Sequence, residues 1–181
     1  RPGFYINFQA AATAQISAGP RGIVAMPVKA NWGPIRQFVE ITNEKELIET
    51  YGTDTENRAT AYTAIKFALM GAPKKVLAYR LADPSAAKAS ITLKDTASAD
   101  VLTLTTKYET TRPFKVTIRD NVIDSNKYDI VLYENTALLY VFTFDKGASV
   151  VDNAVDAISN DPGNKWITAT KVASGNGSLA L

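Results

Sequence analysis

The sequence predicts an α+β protein: a partial α/β unit carrying an extended N-terminal arm, followed by a small antiparallel β-sandwich with one helix. Three observations carry that reading. Short apolar runs and helical patterns alternate between Gly22 and Leu81. The stretch Ala82-Asp83-Pro84-Ser85-Ala86-Ala87 then breaks the composition. Beyond it the chain is rich in Thr and Val, in short alternating segments. The expected divisions are residues 1–20 for the arm, 21–87 for the α/β unit and 88–178 for the sandwich.

In the arm, Phe4, Ile6 and Phe8 alternate with Tyr5 and Asn7, the period of a strand. The tether Ala10-Ala11-Ala12-Thr13-Ala14 and Gly19-Pro20 offers little to anchor a core. Ile23-Val24-Ala25-Met26 reads as a buried strand ended by Pro27, Asn31-Trp32-Gly33-Pro34 as a turn, and Phe38-Val39-Glu40-Ile41 as a second strand. Asn43 with Glu46 three residues on forms a capping-box-like pair opening a helix that Gly52 ends. A longer helix is expected from about Asn57 to Met70, with Ala61, Ile65, Ala68 and Leu69 on one face and Gly71 as its stop. Val76–Leu81 returns as a strand. A sheet of so few strands is incomplete, so this unit is expected to be part of a larger domain.

The sandwich strands are expected at Ser90–Lys94, Val101–Thr105, Phe114–Arg119, Tyr128–Tyr133 and Leu138–Phe144. Phe114, Val116 and Ile118 alternate with Lys115, Thr117 and Arg119, giving one dry and one wet face. An amphipathic helix from Val150 to Ser159 and a last strand, Trp166–Val172, follow. Ser174-Gly175-Asn176-Gly177-Ser178 reads as a flexible exit.

Composition removes much of the enzyme repertoire. The 181 residues contain no Cys and no His. Disulfides, thiolate nucleophiles, Cys-bearing zinc sites and Ser-His-Asp chemistry are thereby excluded. The net charge of +2, without a basic run longer than Lys74-Lys75, argues against a nucleic-acid partner. No stretch approaches the roughly 20 apolar residues of a membrane span. Arg1-Pro2-Gly3 does not open a signal peptide, and the absence of a starting Met suggests a fragment. Asp152 and Asp156 share the wet face of their helix instead of flanking a cleft. Asp54-Thr55-Glu56 lacks the further ligands of a calcium loop, and Gly175-Asn176-Gly177 lacks the helix of a phosphate cradle. Asn176-Gly177-Ser178 is a formal glycosylation sequon, without meaning unless the protein is secreted. No catalytic residue, cofactor or metal is expected.

Charge is unevenly placed. Residues 1–39 hold Arg1, Arg21, Lys29 and Arg36 and no acid. Residues 40–56 hold Glu40, Glu44, Glu46, Glu49, Asp54 and Glu56 against Lys45 alone. This asymmetry is either a solvated helix face or a pair of complementary patches on neighbouring subunits, with Arg21, Lys29 and Arg36 facing Glu44, Glu46 and Glu49.

The opening Arg1-Pro2-Gly3-Phe4-Tyr5-Ile6-Asn7-Phe8, then Arg21-Gly22-Ile23-Val24-Ala25-Met26-Pro27 and Asn31-Trp32-Gly33-Pro34, resembles the N-terminus of contractile phage tail sheath proteins. The likeness is greatest to the form in Gram-positive myoviruses and phage-tail-like bacteriocins, and it continues through Leu69-Met70-Gly71-Ala72 and Val76–Leu81. The resemblance implies a structural subunit, not an enzyme, whose chain continues beyond Leu181 into further domains. It implies helically stacked hexameric rings of identical subunits around a tail tube, with baseplate and tail terminator as partners and assembly in the bacterial cytoplasm. Phe4, Tyr5, Ile6 and Phe8 would then form an arm that joins subunits. The alternatives are a bacterial surface adhesion or carbohydrate-binding module, which leaves the α/β first third unexplained, and an enzyme fragment lacking its active site.

Overall fold

The computed structural model describes residues 22–53, 59–172 and 178–180. The arm, with Phe4, Tyr5, Ile6 and Phe8, and Arg21 lie outside the described residues, as do Asp54-Thr55-Glu56 and Gly175-Asn176-Gly177.

Three strands, β1 (Ile23–Val28), β2 (Phe38–Ile41) and β3 (Lys75–Arg80), form one sheet in the order β1-β3-β2. β1 runs parallel to β3 and β2 antiparallel to it. Two helices, α1 (Glu44–Tyr51) and α2 (Ala61–Met70), connect β2 to β3. Both pack on the sheet face carrying Val28, Ile41, Val76 and Ala78, through Leu47, Tyr51, Ala61 and Ile65. α1 starts as its sequence dictates. Asn43 accepts a hydrogen bond from the Glu46 amide at 2.9 Å, and the Glu46 carboxylate accepts one from the Thr42 amide at 2.8 Å. α2 begins at Ala61, later than its apolar spacing suggests, because the Thr60 and Ala61 amides donate instead to the Lys29 carbonyl at the end of β1.

The second unit holds two three-stranded antiparallel sheets. One comprises β4 (Lys88–Lys94), β5 (Asp100–Glu109) and β9 (Ile167–Lys171), in the order β4-β5-β9. The other comprises β6 (Phe114–Asp120), β7 (Lys127–Glu134) and β8 (Ala137–Asp145) in sequence order. They enclose a core that includes Leu102, Leu104, Ile130, Leu132 and Phe142. Helix α3 (Val150–Ser159) lies between β8 and β9 in sequence and packs on both, closing the side where the two sheets meet. Val151, Ala154 and Ile158 point into that core while Asp152 and Asp156 stay exposed, as the spacing predicts. Asn164 holds the exit of α3: its buried amide donates to the Ile158 and Ile167 carbonyls, both at 2.8 Å.

Most strands run one or two residues past their expected ends, and β5 runs further. Its extension follows from the Thr106 hydroxyl, which accepts from the Ala89 amide, and from the Lys107 amide donating to the Trp166 carbonyl. Leu179, beyond the expected end of the sandwich, is a core residue at 4% exposure.

The two units are joined through the Asn31–Gly33 loop. It is a turn, as expected, but not a surface one. Trp32 is 3% exposed and inserts against Tyr108, Phe114 and Trp166, with ring centroids 5.3, 5.6 and 5.4 Å away. The Arg112 guanidinium lies 5.5 Å over its ring and forms a two-point ion pair with Glu134 at 2.6 Å. From behind, the buried Arg80 at the end of β3 donates to the carbonyls of Ala30, Gly33 and Glu109. Asn31 accepts from the Thr110 hydroxyl and the Thr111 amide. Gly33 is required here: at φ +93 a Cβ would stand 2.6 Å from the Thr50 carbonyl oxygen.

Trp32→Ala should remove the junction's packing without touching either core. The expected loss, read from urea unfolding followed by far-UV circular dichroism, is roughly 3–5 kcal/mol. An exposed neighbour, Ile48→Ala, should stay within about 0.5 kcal/mol of the parent.

Candidate assembly surfaces

In β3 the side chains alternate, so a one-sided helical layer leaves the other face bare. Cross-strand register places Pro27, Tyr79 and Phe38 in one row and Ala25, Leu77 and Glu40 in the next. Phe38 is 61% exposed, and its ring lies 5.1 Å from that of Tyr79. Ile23, at 55% exposure, ends the patch, and the ion pair of Lys75 with Glu40 at 2.6 Å crosses it. No element among the described residues covers this face. α2 is bare on its outer side too, with Phe67 67% and Met70 75% exposed. A sheet with a parallel pair is normally covered on both faces, and contiguous apolar surface is the usual signature of a contact surface.

The edge of β1 is blunted. The Val28 carbonyl accepts from the Leu81 amide, so it faces β3 and leaves the donorless nitrogen of Pro27 on the outer edge.

The structure gives the acids of α1 intrachain partners that lie far away in sequence. Glu44 accepts from Lys66 at 2.7 Å and from the Tyr62 hydroxyl at 2.6 Å, which hold its carboxyl below the ordinary 4.5. The same contacts, the Glu44 bond first, push Lys66 up to about 12. Glu46 is held below 4.5 by the Thr42 amide and then by the Thr42 hydroxyl. Glu49 pairs across the junction with Lys165 at 3.4 Å. Glu44 and Glu49 nevertheless keep nearly half of their side-chain surface in water, 48% and 47%. Lys29 ends the β1 edge and Arg36 lies in the loop before β2, both exposed. Among the described residues, neither Lys29 nor Arg36 forms an ion pair with Glu44, Glu46 or Glu49 of the same chain.

Sequence reasoning missed Trp32, Arg80 and Arg112 as organising residues. The signal was a large aromatic residue inside a four-residue turn. Among the described residues no cluster of three or more acids could hold a metal ion, and no helix is long and apolar enough to cross a membrane. Asp152, on the wet face of α3, pairs with Lys171 at 2.8 Å instead of with Asp156.

The described residues thus present a three-stranded sheet covered on one face, a bare apolar surface on the other, and a β-sandwich with its own core. Residues 21–81 match the N-terminal region of tail sheath protein Gp18 domain III. Residues 82–181 match the phage tail sheath protein β-sandwich domain. The chain belongs to the phage tail sheath proteins, a structural family, and the resemblance read from its first third is borne out.

It is 30% identical over 155 residues to the phage-like element PBSX protein XkdK of Bacillus subtilis, covering 84% of this chain and 31% of XkdK. It is 32% identical over 138 residues to YqbK, an uncharacterized protein of the same bacterium, covering 74% of this chain and 27% of YqbK. A sheath tail protein from Listeria innocua shares the fold, with a TM-score of 0.61 and 24% identity over 90% of this chain and 33% of its own. Another, from Desulfitobacterium hafniense, gives a TM-score of 0.57 and 23% identity over 98% of this chain and 38% of its own. The chain thus spans about a third of the length of these relatives.

The cap of α1 supplies a pH test. Glu44 and Glu46 have folded-state values below their unfolded ones, so the stability they add is present above about pH 4.5 and is lost as pH falls through the folded values. Glu46→Gln keeps an acceptor for the Thr42 amide but does not titrate. Its stability should fall less steeply than the parent's between roughly pH 5 and pH 3 in urea titrations. Asn43→Ala should instead cost about 1 kcal/mol across the whole range.

Proposed function

We propose that this chain is the N-terminal part of a contractile tail sheath subunit. Such a subunit polymerises helically around a tail tube and contracts to drive the tube through a cell envelope. The observation that carries the reading is the bare apolar face of Phe38, Leu77, Tyr79 and Ile23, in a chain of the sheath family. Further sheath domains, completing an α/β unit of which residues 21–87 are a part, would supply its cover. In this reading the partners are other sheath subunits in stacked hexameric rings, the tube protein, the baseplate and the tail terminator. Assembly takes place in the host cytoplasm and yields a phage tail or a phage-tail-like bacteriocin.

The arm is the proposed link between subunits. Phe4, Ile6 and Phe8 alternate in sequence with Tyr5 and Asn7, the spacing that would put the three on one face if the arm were added as a strand. A strand added to a neighbour's sheet gains main-chain hydrogen bonds and pockets for alternate side chains. Ala10–Ala18 serves as a tether that keeps the link while the bodies move. The carbohydrate-binding alternative would need exposed aromatic rings on the sandwich, where every described aromatic side chain is buried or half-buried.

Electron microscopy of the full-length protein should show striated tubes. Deleting residues 1–18 should leave a folded, soluble monomer that makes no long tubes. Normal, contracting tubes from that deletion would remove the arm from the mechanism.

A second expectation concerns charge. We propose that Arg21, Lys29 and Arg36 of one subunit face the exposed acidic side of α1, Glu44, Glu46 and Glu49, in another. Tube growth, followed by light scattering, should then slow as salt rises well past about 0.15 M, and Glu49→Lys should slow it at low salt. Growth indifferent to both changes would leave the acids with their intrachain roles alone.

A further inference from the structure

The sandwich is closed on one side and open on the other. α3 packs on β8 and β9 and seals one pair of sheet edges. The opposite side lies between the other two edge strands, β4 and β6, and no helix or strand among the described residues covers it. A narrow apolar slot of about 70 Å³ opens there, lined by Ile91, Leu104, Phe114, Val116, Leu132 and Ile167. Ile91 is 46% exposed, although it stands opposite Leu104, which is 2% exposed.

The backbone of β4 is open on the same side. The Lys107 amide and the Val101 carbonyl bond to the chain at the two ends of β9, so the alternate residues Leu102 and Leu104 bond toward β4. Their partners are Leu93 and Ile91. The amides and carbonyls of Ser90 and Thr92 therefore point away from β5, and no described residue bonds them. Such a row of unpaired groups is a template for another strand.

The last described residues already lie along this edge. Leu179 is a core residue of the sandwich, the Ala180 amide donates to the Lys94 carbonyl at 2.9 Å, and the Ser178 and Thr96 hydroxyls meet at 3.3 Å. From Ser178 to Ala180 the chain passes Thr96 and then Lys94, so it runs antiparallel to β4. Extended in the same direction it would pass Thr92 and Ser90 and arrive at Lys88. That end of β4 pairs with Glu109, whose carbonyl accepts from Arg80 of the first unit. Six strand steps, about 20 Å, separate Lys94 from Lys88. A strand on this path crosses the length of the sandwich and returns the chain to the incomplete sheet.

We propose that β4 is the docking edge for the stretch that follows Leu181 in the full-length protein. This stretch adds a fourth strand to the β4-β5-β9 sheet, antiparallel to β4, and turns every second side chain into the slot beside Ile91. The inference rests on the sheath reading, because the stretch is supplied by a protein of which this chain, like its match to the relatives, spans about a third. The added strand bonds the outward groups of Ser90 and Thr92 and closes the second side of the sandwich, as α3 closes the first.

Hydrogen exchange of the full-length protein, kept monomeric by dilution and resolved to single amides by mass spectrometry, tests this. The Ile91 amide, which faces β5, is the internal reference. The Ser90 and Thr92 amides are expected to be protected at least about tenfold over an unstructured peptide, as Ile91 is, and to remain so when residues 1–18 are deleted. Free exchange at Ser90 and Thr92 beside a protected Ile91 would overturn the proposal. Protection lost with residues 1–18 would assign the edge to the arm, and protection gained only in assembled tubes would assign it to a neighbouring subunit; either result overturns it as well. Failure of the full-length protein to form tubes would instead count against the sheath reading, and exchange in the monomer would still decide what covers β4.

Discussion

The Asn31–Gly33 loop is gripped from two sides, and the relation of the two units depends on that grip. Arg80 supplies donors to three carbonyls from behind. Trp32 enters an aromatic nest in front, under the Arg112 guanidinium. A guanidinium suits this task because its donors diverge in a plane and reach carbonyls on two chain segments at once. Withdrawing Trp32 would expose a large ring and orphan buried carbonyls together, so the same few residues carry the attachment of the first unit to the sandwich.

Away from that attachment, both helices cover the same face of the β1-β3-β2 sheet, and no element among the described residues covers the other. The sandwich has satisfied its own core, whereas the first unit has satisfied only half of its sheet.

The fold was legible wherever its cause is local. The Asn43–Glu46 cap, the Val150–Ser159 helix and the alternation of β6 rest on neighbours within a few residues, and the structure reproduces them. What sequence reasoning could not reach are pairings between distant residues. In the sequence Arg80 is one residue of a strand, and one of its partners, the Glu109 carbonyl, lies in another unit of the chain. The acids of α1 look free until Lys66 and Lys165 come to meet them. The start of α2 was misplaced for the same reason, since its first amides answer to Lys29 on another element. Of the candidate site, the charge asymmetry and the incompleteness of the sheet were visible beforehand. The direction of the open face was not, because it depends on which side both helices choose.

The aromatic nest has an optical consequence. The chain has two tryptophans, and both lie in the junction with ring centroids 5.4 Å apart. All indole emission therefore originates at the seam between the units, beneath a cation and away from most water. Steady-state fluorescence of this protein reports neither core as a whole. It is a gauge of the seam, and a red shift registers water entering between the two units.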